Sequence, residues 1–308
     1  MRPDPNLYAS VLRKLVQLLL LTCALSLIGV DMGHAAEIEL TSTAVLRAKY
    51  VDLAPQFANN AFGRPLVLES AEASGSLRGD VYAVLRHPYA SAQVALKDPA
   101  HWCDILILHL NIKYCRPAAA GAGTVLEVNI GRKSDQPIEK SYRVEFAYRV
   151  REATEDHLVV MLDADKGPVG TRDYRILLEA VPLKDGQTFM HLAYSYAYGT
   201  AARLGLMAYL GTAGSKKVGF TVPRHANNGQ PVYIDGLRGL IERNTMRYYL
   251  AIEAYLGALA LPRPAQLDKR LNDWYVAVER YPLQLHEIGQ QEYLDMKRRE
   301  YQRQQAAL

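Results

Sequence analysis

Tyr194, Tyr196 and Tyr198 recur at every second position of one run, with Leu192 in step with them. Residues two apart on an extended chain point the same way, so the rings form one aromatic wall carrying hydroxyls. Such a wall serves ordinary sheet packing, because tyrosine favours strands. It also suits the lining of a cavity, where rings supply apolar area and hydroxyls orient a guest. The chain holds 20 Tyr against 5 Phe and 2 Trp, so much of its aromatic surface has a polar tip. Tyr82, Trp102, Phe146 and Tyr148 are the aromatic candidates of earlier segments, and Tyr248 is that of a later helix. Asn244 interrupts the apolar stripe of that helix. A buried amide must find partners, in a ligand or in a sheet carbonyl.

Other reactive residue types lack the spacing that chemistry needs. His101, His109, His157 and His191 form no tight ligand pattern, which leaves them as surface or hydrogen-bonded histidines. Asp163-Ala164-Asp165-Lys166-Gly167 opens like a calcium loop, but its twelfth position is Tyr174 rather than Glu. The segment reads better as a hairpin connection. No G-x-S-x-G, P-loop or dinucleotide fingerprint occurs in a strand-turn-helix setting. No catalytic residue, metal or cofactor is therefore assigned.

The ends and composition set the context. The chain has 308 residues, 49% hydrophobic and 22% charged, which excludes collagen-like and disordered classes. Its net charge of +4 gives no reason to expect nucleic acid. Arg2, Arg13 and Lys14 precede an uncharged run at 15–30, followed by Gly33-His34-Ala35-Ala36. This is a signal-peptide pattern over residues 1–36, and the run is shorter than the ~20 residues a membrane span needs. Cys23 lies inside that run, away from a cleavage site, so lipidation is discounted. The expected location is periplasmic or secreted. There Cys103 and Cys115 tend to pair, provided a helix carrying one lies beside a strand carrying the other. Two buried free thiols are the alternative. The absence of C-x-x-C spacing argues against a redox pair.

Periodicity supplies the elements. Residues 37–76 are of mixed character, with a short helix over 45–57. A strand over 78–86 leads to short helices at 88–99 and 100–110, and 111–116 returns as a strand. From 124 to 198 the period is close to two, in runs at 124–132, 142–151, 157–164, 172–182 and 188–198. Turn residues separate these runs, so they predict an antiparallel meander. Residues 200–214 read as a short helix or lid-like loop. Leu237, Leu240, Ile241, Asn244, Tyr248, Ile252, Tyr255, Leu256 and Leu259 fall on one face of a long helix that Pro262 and Pro264 end. Residues 261–308 add a helical extension. Its last helix is basic, with Lys297, Arg298, Arg299 and Arg303, and reads as solvated. It admits peripheral contact with an anionic membrane surface.

The fold class expected is α+β: a curved antiparallel sheet wrapped around a long C-terminal helix, with an appended helical tail. This order, with Arg78-Gly79-Asp80-Val81-Tyr82, His87-Pro88 and Asp98-Pro99-Ala100-His101-Trp102-Cys103-Asp104, resembles the START-like, or helix-grip, superfamily. That superfamily includes lipid-transfer domains, polyketide cyclases and coenzyme Q-binding proteins. The resemblance spans residues 77–260 and leaves 37–76 and 261–308 outside it. It implies a hydrophobic small molecule held between sheet and helix; together with the leader pattern, the expectation is an exported carrier of a lipid or isoprenoid-like molecule. It transfers no catalytic residue. A cyclase- or hydrolase-type enzyme in the same cavity and a cell-envelope module docking through its tail are the rival expectations.

Overall fold

Alternation of polar and apolar residues dictates strands, and hairpin turns make consecutive strands pair. The computed structural model describes residues 42–212 and 214–306, so the leader reading of 1–36 lies outside the described residues. Eight strands form one antiparallel sheet: β1 (Leu66–Ala73), β2 (Ser76–Leu85), β3 (Ile112–Ala120), β4 (Gly123–Ile130), β5 (Tyr142–Ala153), β6 (Leu158–Lys166), β7 (Thr171–Pro182) and β8 (Thr188–Tyr198). Their order is β1-β2-β8-β7-β6-β5-β4-β3. The meander from β3 to β8 thus closes by pairing its last strand with β2, Gly79 opposite Tyr194.

The sheet begins earlier than the 77–260 stretch. Residues 66–73 pair with β2 as an edge strand. Only Leu66 and Val67 are buried there, and the outer half is exposed, so no sustained alternation marks it. Edge strands are often kept polar in this way. Before it, α1 (Thr43–Asp52) and α2 (Ala54–Ala58) replace the single short helix expected. They lay Leu46, Tyr50 and Phe57 on the convex face against Val84, Val181 and Phe189.

Helices α3 (Tyr89–Leu96) and α4 (Pro99–Leu106) bridge β2 and β3. Asp98 caps α4 by accepting from the Ala100 N–H at 2.8 Å, and Pro99 stands in its first turn. Cys103 of α4 and Cys115 of β3 form a disulfide across a Cα separation of 5.1 Å. It closes a loop whose constraint on the unfolded chain contributes about 3 kcal/mol.

After β8 come α5 (Thr200–Gly211), a two-residue-per-strand hairpin of β9 (Arg224–His225) and β10 (Pro231–Val232), and the long helix α6 (Gly236–Ala258). Helix α6 packs along the concave side against β1, β2 and β8, with α4 at its flank. A Cβ on Gly79 of β2 would collide with Thr245 Oγ1 of α6 and lie 3.2 Å from Thr245 Cβ. The missing side chain is what lets helix and strand touch. This is a helix-grip arrangement: a curved eight-stranded sheet closed on a long helix.

The tail comprises α7 (Arg263–Glu279), α8 (Pro282–Leu285) and α9 (Gln290–Ala306). It corrects the reading of the last helix as solvated. Tyr293, Leu294 and Met296 are buried in the main core, and Lys297 has no exposure at all. The Lys297 ammonium donates to the carbonyls of His109 and Ile112 at 2.7 and 2.8 Å and to Glu300 at 2.7 Å. Glu300 also takes the buried Lys113 of β3 at 3.0 Å. Arg298 and Arg299 stay at the surface, bonded to Asp268 and Asp135. A basic composition hid one lysine that closes a core contact. No helix among the described residues is long and apolar enough to cross a membrane.

Two outcomes test this packing. Gly79→Ala should cost about 1–3 kcal/mol in urea unfolding, the range for forcing atoms into a close-packed contact. Burial depresses Lys297 to about 8 from its ordinary 10.5, although Glu300 pulls the other way. Between those values the unfolded chain binds more protons than the folded one, so stability should rise with pH across that window. The rise should shrink in Lys297→Met, where Lys113 keeps Glu300 paired; an unchanged profile would assign the titration to other groups.

Candidate ligand cavity

Helix α6 rests on one half of the sheet, and the other half curls over open space. A cavity of about 750 Å³ lies there. Its sheet wall comes from alternate residues of β4, β5, β7 and β8, among them Ile130, Phe146, Tyr174, Ile176, Tyr194 and Tyr196. Helix α6 offers Leu240, Asn244 and Tyr248 opposite. Helix α5 and the β6–β7 hairpin stand at the rim through Leu206, Tyr209 and Val169. Val169 is an exposed β-branched residue at φ +56°, a left-handed conformation that such side chains rarely take. Leu204 and Met207 are exposed on the outside of α5, at 67% and 50%.

Strand parity sorts the aromatic candidates. Phe146, Tyr194, Tyr196, Asn244 and Tyr248 share the cavity. The Tyr194 ring packs edge-on to Tyr248 at 5.2 Å, and Tyr174 stacks on Tyr196 at 5.2 Å. The hydroxyls of Tyr194, Tyr196 and Tyr248 and the Asn244 amide form no side-chain hydrogen bond with a described residue. Burial pushes the phenols of Tyr194 and Tyr196 well above their ordinary value, so they stay neutral donors.

Four candidates stand elsewhere. Trp102 is buried between α3 and α4 and donates its indole N–H to the Leu96 carbonyl at 2.6 Å. The Tyr148 hydroxyl reaches the same carbonyl at 3.4 Å. Tyr198 extends past the cavity to Glu72 at 3.4 Å. Tyr82 faces the convex side, stacked on His191 at 4.4 Å. There His191 bridges Asp80 at 2.8 Å and Glu179 at 2.9 Å, and Arg78 grips Asp80 with two 2.8 Å bonds. Burial opposes the charge on His191, but the bonds to the two carboxylates outweigh it and raise its pKa.

One end of the cavity is polar, and periodicity gave no sign of it. Lys133, from the loop after β4, donates to Glu287 at 2.5 Å and to the Tyr209 hydroxyl at 2.9 Å. Arg247 of α6 donates to the same Glu287 oxygen at 2.7 Å. Burial works to raise Glu287, yet Arg247 and Lys133 outweigh it and hold the carboxyl below its usual range. His109 sits on the wall, its ring 4.8 Å from that of Tyr248. Its Nδ1 accepts the Asn111 N–H at 3.1 Å, which places the proton on Nε2. Burial, then the charges of Arg247 and Lys297, keep this imidazole neutral. A base needs a free lone pair; His109 has given its own to the backbone, and Glu287 is clamped between cations. Among the described residues no cluster of His, Cys, Asp and Glu is arranged to bind a metal.

No known family profile matches the sequence, and no curated protein matches it. Among solved structures, norcoclaurine synthase from Thalictrum flavum is 11% identical, over 49% of this chain and 82% of that one, with a TM-score of 0.32. Human StAR-related lipid transfer protein 5 is 8% identical, over 50% of this chain and 82% of that one, at 0.29. A protein from Arthrobacter aurescens is 12% identical, over 62% and 92%, at 0.32. These likenesses are loose, and the chemistry of the site is a matter of this chain's own residues.

Partnerless hydroxyls should be dispensable for folding. Tyr194→Phe and Tyr196→Phe should leave thermal stability within about 0.5 kcal/mol. Tyr293→Phe, which strips a 2.9 Å bond from the buried Leu108 carbonyl, should cost about 1–3 kcal/mol. Equal losses in all three would mean that the cavity hydroxyls do bond within the protein.

Proposed function

We propose that this chain is an exported carrier that holds a hydrophobic small molecule, lipid or isoprenoid-like, between the sheet and helix α6. The observation that carries the reading is the cavity of about 750 Å³ whose aromatic and aliphatic wall presents partnerless hydroxyls. Its volume falls in the roughly 300–1,000 Å³ span of small-molecule sites. In such sites apolar burial supplies affinity, and a few polar groups fix orientation. The Cys103–Cys115 disulfide supports export, because such bonds persist in oxidising compartments. It agrees with the leader pattern in residues 1–36.

The state of the polar groups favours carriage over a cyclase or hydrolase reaction. Of the two titratable residues best placed for proton transfer, Glu287 is clamped between cations and His109 has given its lone pair to the Asn111 N–H, which leaves only its Nε2–H unpartnered among the described residues. Docking through the tail is less supported, because the apolar residues of α9 are spent inside the chain.

Native mass spectrometry of the protein, purified without detergent after expression with its leader, tests this reading. The expected spectrum shows a chain beginning at residue 36 or 37 and a fraction carrying an apolar molecule that organic extraction recovers. A chain that is uniformly empty and fails to take up a hydrophobic fluorescent probe would remove the carrier reading.

A further inference from the structure

Six side chains gather at and behind the polar end of the cavity, and five of them are cations, of which only Arg132 and Lys133 stand on its wall. Arg132 and Lys133 line it, Lys217 donates to the neighbouring His286 carbonyl, and Arg243 and Arg247 stand one helical turn apart on α6. Glu287 is the sixth and the only acid on the cavity wall among the described residues. The nearest further carboxylate on α6, Glu242, is spent on the Phe220 and Thr221 N–H groups and on the hydroxyls of Thr221 and Ser70.

These cations are under-compensated. Arg243 and Arg247 have no exposure. Arg243 leaves Nε and Nη2 without an acceptor, and Arg247 leaves Nε and Nη1. Burial, and then the charge of Arg247, lower the pKa of Arg243. Arg132, by contrast, is exposed to solvent, and its side chain makes no ion pair or hydrogen bond with a described residue. Behind His109, Lys113 and Lys297 share the single carboxylate of Glu300 and add to the same field. Positive charge in a poorly solvated interior is costly unless paired. A neutral guest would leave that cost in place, whereas an anion at Lys133 would relieve it.

We propose that the cavity takes an amphipathic anion, its apolar body against the tyrosine wall and its carboxylate or phosphate at the Arg132–Lys133 end. This inference rests on reading the cavity as a ligand site and adds the charge of the ligand to it. Lys133 has three N–H donors, of which two are committed, so one remains for the headgroup. Arg132 brings a planar fork suited to either oxyanion. The hydroxyls of Tyr194, Tyr196 and Tyr248 lie along the body of the guest, where they tolerate an oxygen substituent.

The test uses two fluorescent probes on the full protein, cis-parinaric acid and its methyl ester, with hexadecyl phosphate and palmitate as competitors. The acid is expected to bind about tenfold or more tightly than the ester, the worth of a charge-assisted hydrogen bond. The advantage should fall as salt is raised. Displacement by the phosphate at lower concentration than unlabelled palmitate would identify the headgroup as phosphate, and the reverse order as carboxylate. Arg132→Gln, which removes no ion pair or side-chain hydrogen bond among the described residues, and Arg132→Gln with Lys133→Gln should erase the preference for acid over ester stepwise. If ester and acid bind equally well, the anion inference falls and the cavity still stands as a hydrophobic site. If no probe binds, the ligand-site reading falls and takes the inference with it. If both variants keep the preference for the acid, the headgroup is not at this end and the proposal is wrong.

Discussion

One close approach governs the molecule. Helix α6 is pressed onto β2 where Gly79 meets Thr245, and no side chain larger than hydrogen fits between them. A curved sheet cannot be equally near a straight rod along its whole width. Fixing the helix on β1, β2 and β8 therefore obliges β4 to β7 to arch away from it. The space under the arch is too wide for the side chains that line it, and the cavity is the remainder. Cavities in a packed core cost stability, in proportion to their volume. A fold that keeps one of this size has placed its packing elsewhere: on the convex face under α1 and α2, and in the contacts of α6 with its flanking helices.

The tail belongs to the same economy of contacts. Helix α9 lies on β3, the strand farthest from β1, and its Lys297 and Glu300 hold Lys113 and two carbonyls of the segment that follows α4. That segment also carries His109, and α4 carries the disulfide. The far end of the sheet is thus tied covalently to α4 and electrostatically to α9, while the near end is held by α6. Glu287, between α8 and α9, brings the tail to the cavity itself. Glu287 and Ile288 of the tail complete the wall of the site, as Tyr293, Leu294 and Met296 complete the core.

Legibility followed periodicity. The meander was readable because each strand keeps one face in the core, so its residues alternate in type as their side chains alternate in direction. The long helix was readable for the same reason at a period of 3.6. Phe146, Tyr194 and Tyr196 meet at one wall because they share strand parity, and Tyr174 was open to the same inference. Tyr82 lies beside the buried His191 on the opposite face, and its own strand is buried on both sides, so alternation could not orient it. Strand β1 carried too few apolar residues to announce itself. The polar end escaped altogether. Lys133 and Glu287 come from loops, where no period exists, and their meeting over 154 positions is a product of the fold. Lys297 looks solvated in a basic stretch until its partners, Glu300 and the carbonyls of His109 and Ile112, are seen to be buried with it.

The two faces of the sheet use polar groups in opposite ways, and the contrast bears on what the cavity is for. On the convex face His191 has a carboxylate on each ring nitrogen, Asp80 takes two bonds from Arg78, and Tyr82 covers the imidazole. That network holds β2, β7 and β8 together and leaves its histidine no capacity for a ligand. On the other face of β8, three and five residues beyond His191, Tyr194 and Tyr196 present hydroxyls with no partner among the described residues. Phenylalanine would pack about as well at both positions, since neither hydroxyl bonds a described residue. Packing alone gives no reason for a hydroxyl at either place. A guest of the kind proposed would supply acceptors for the hydroxyls on the inner wall and countercharge for the cations at one end.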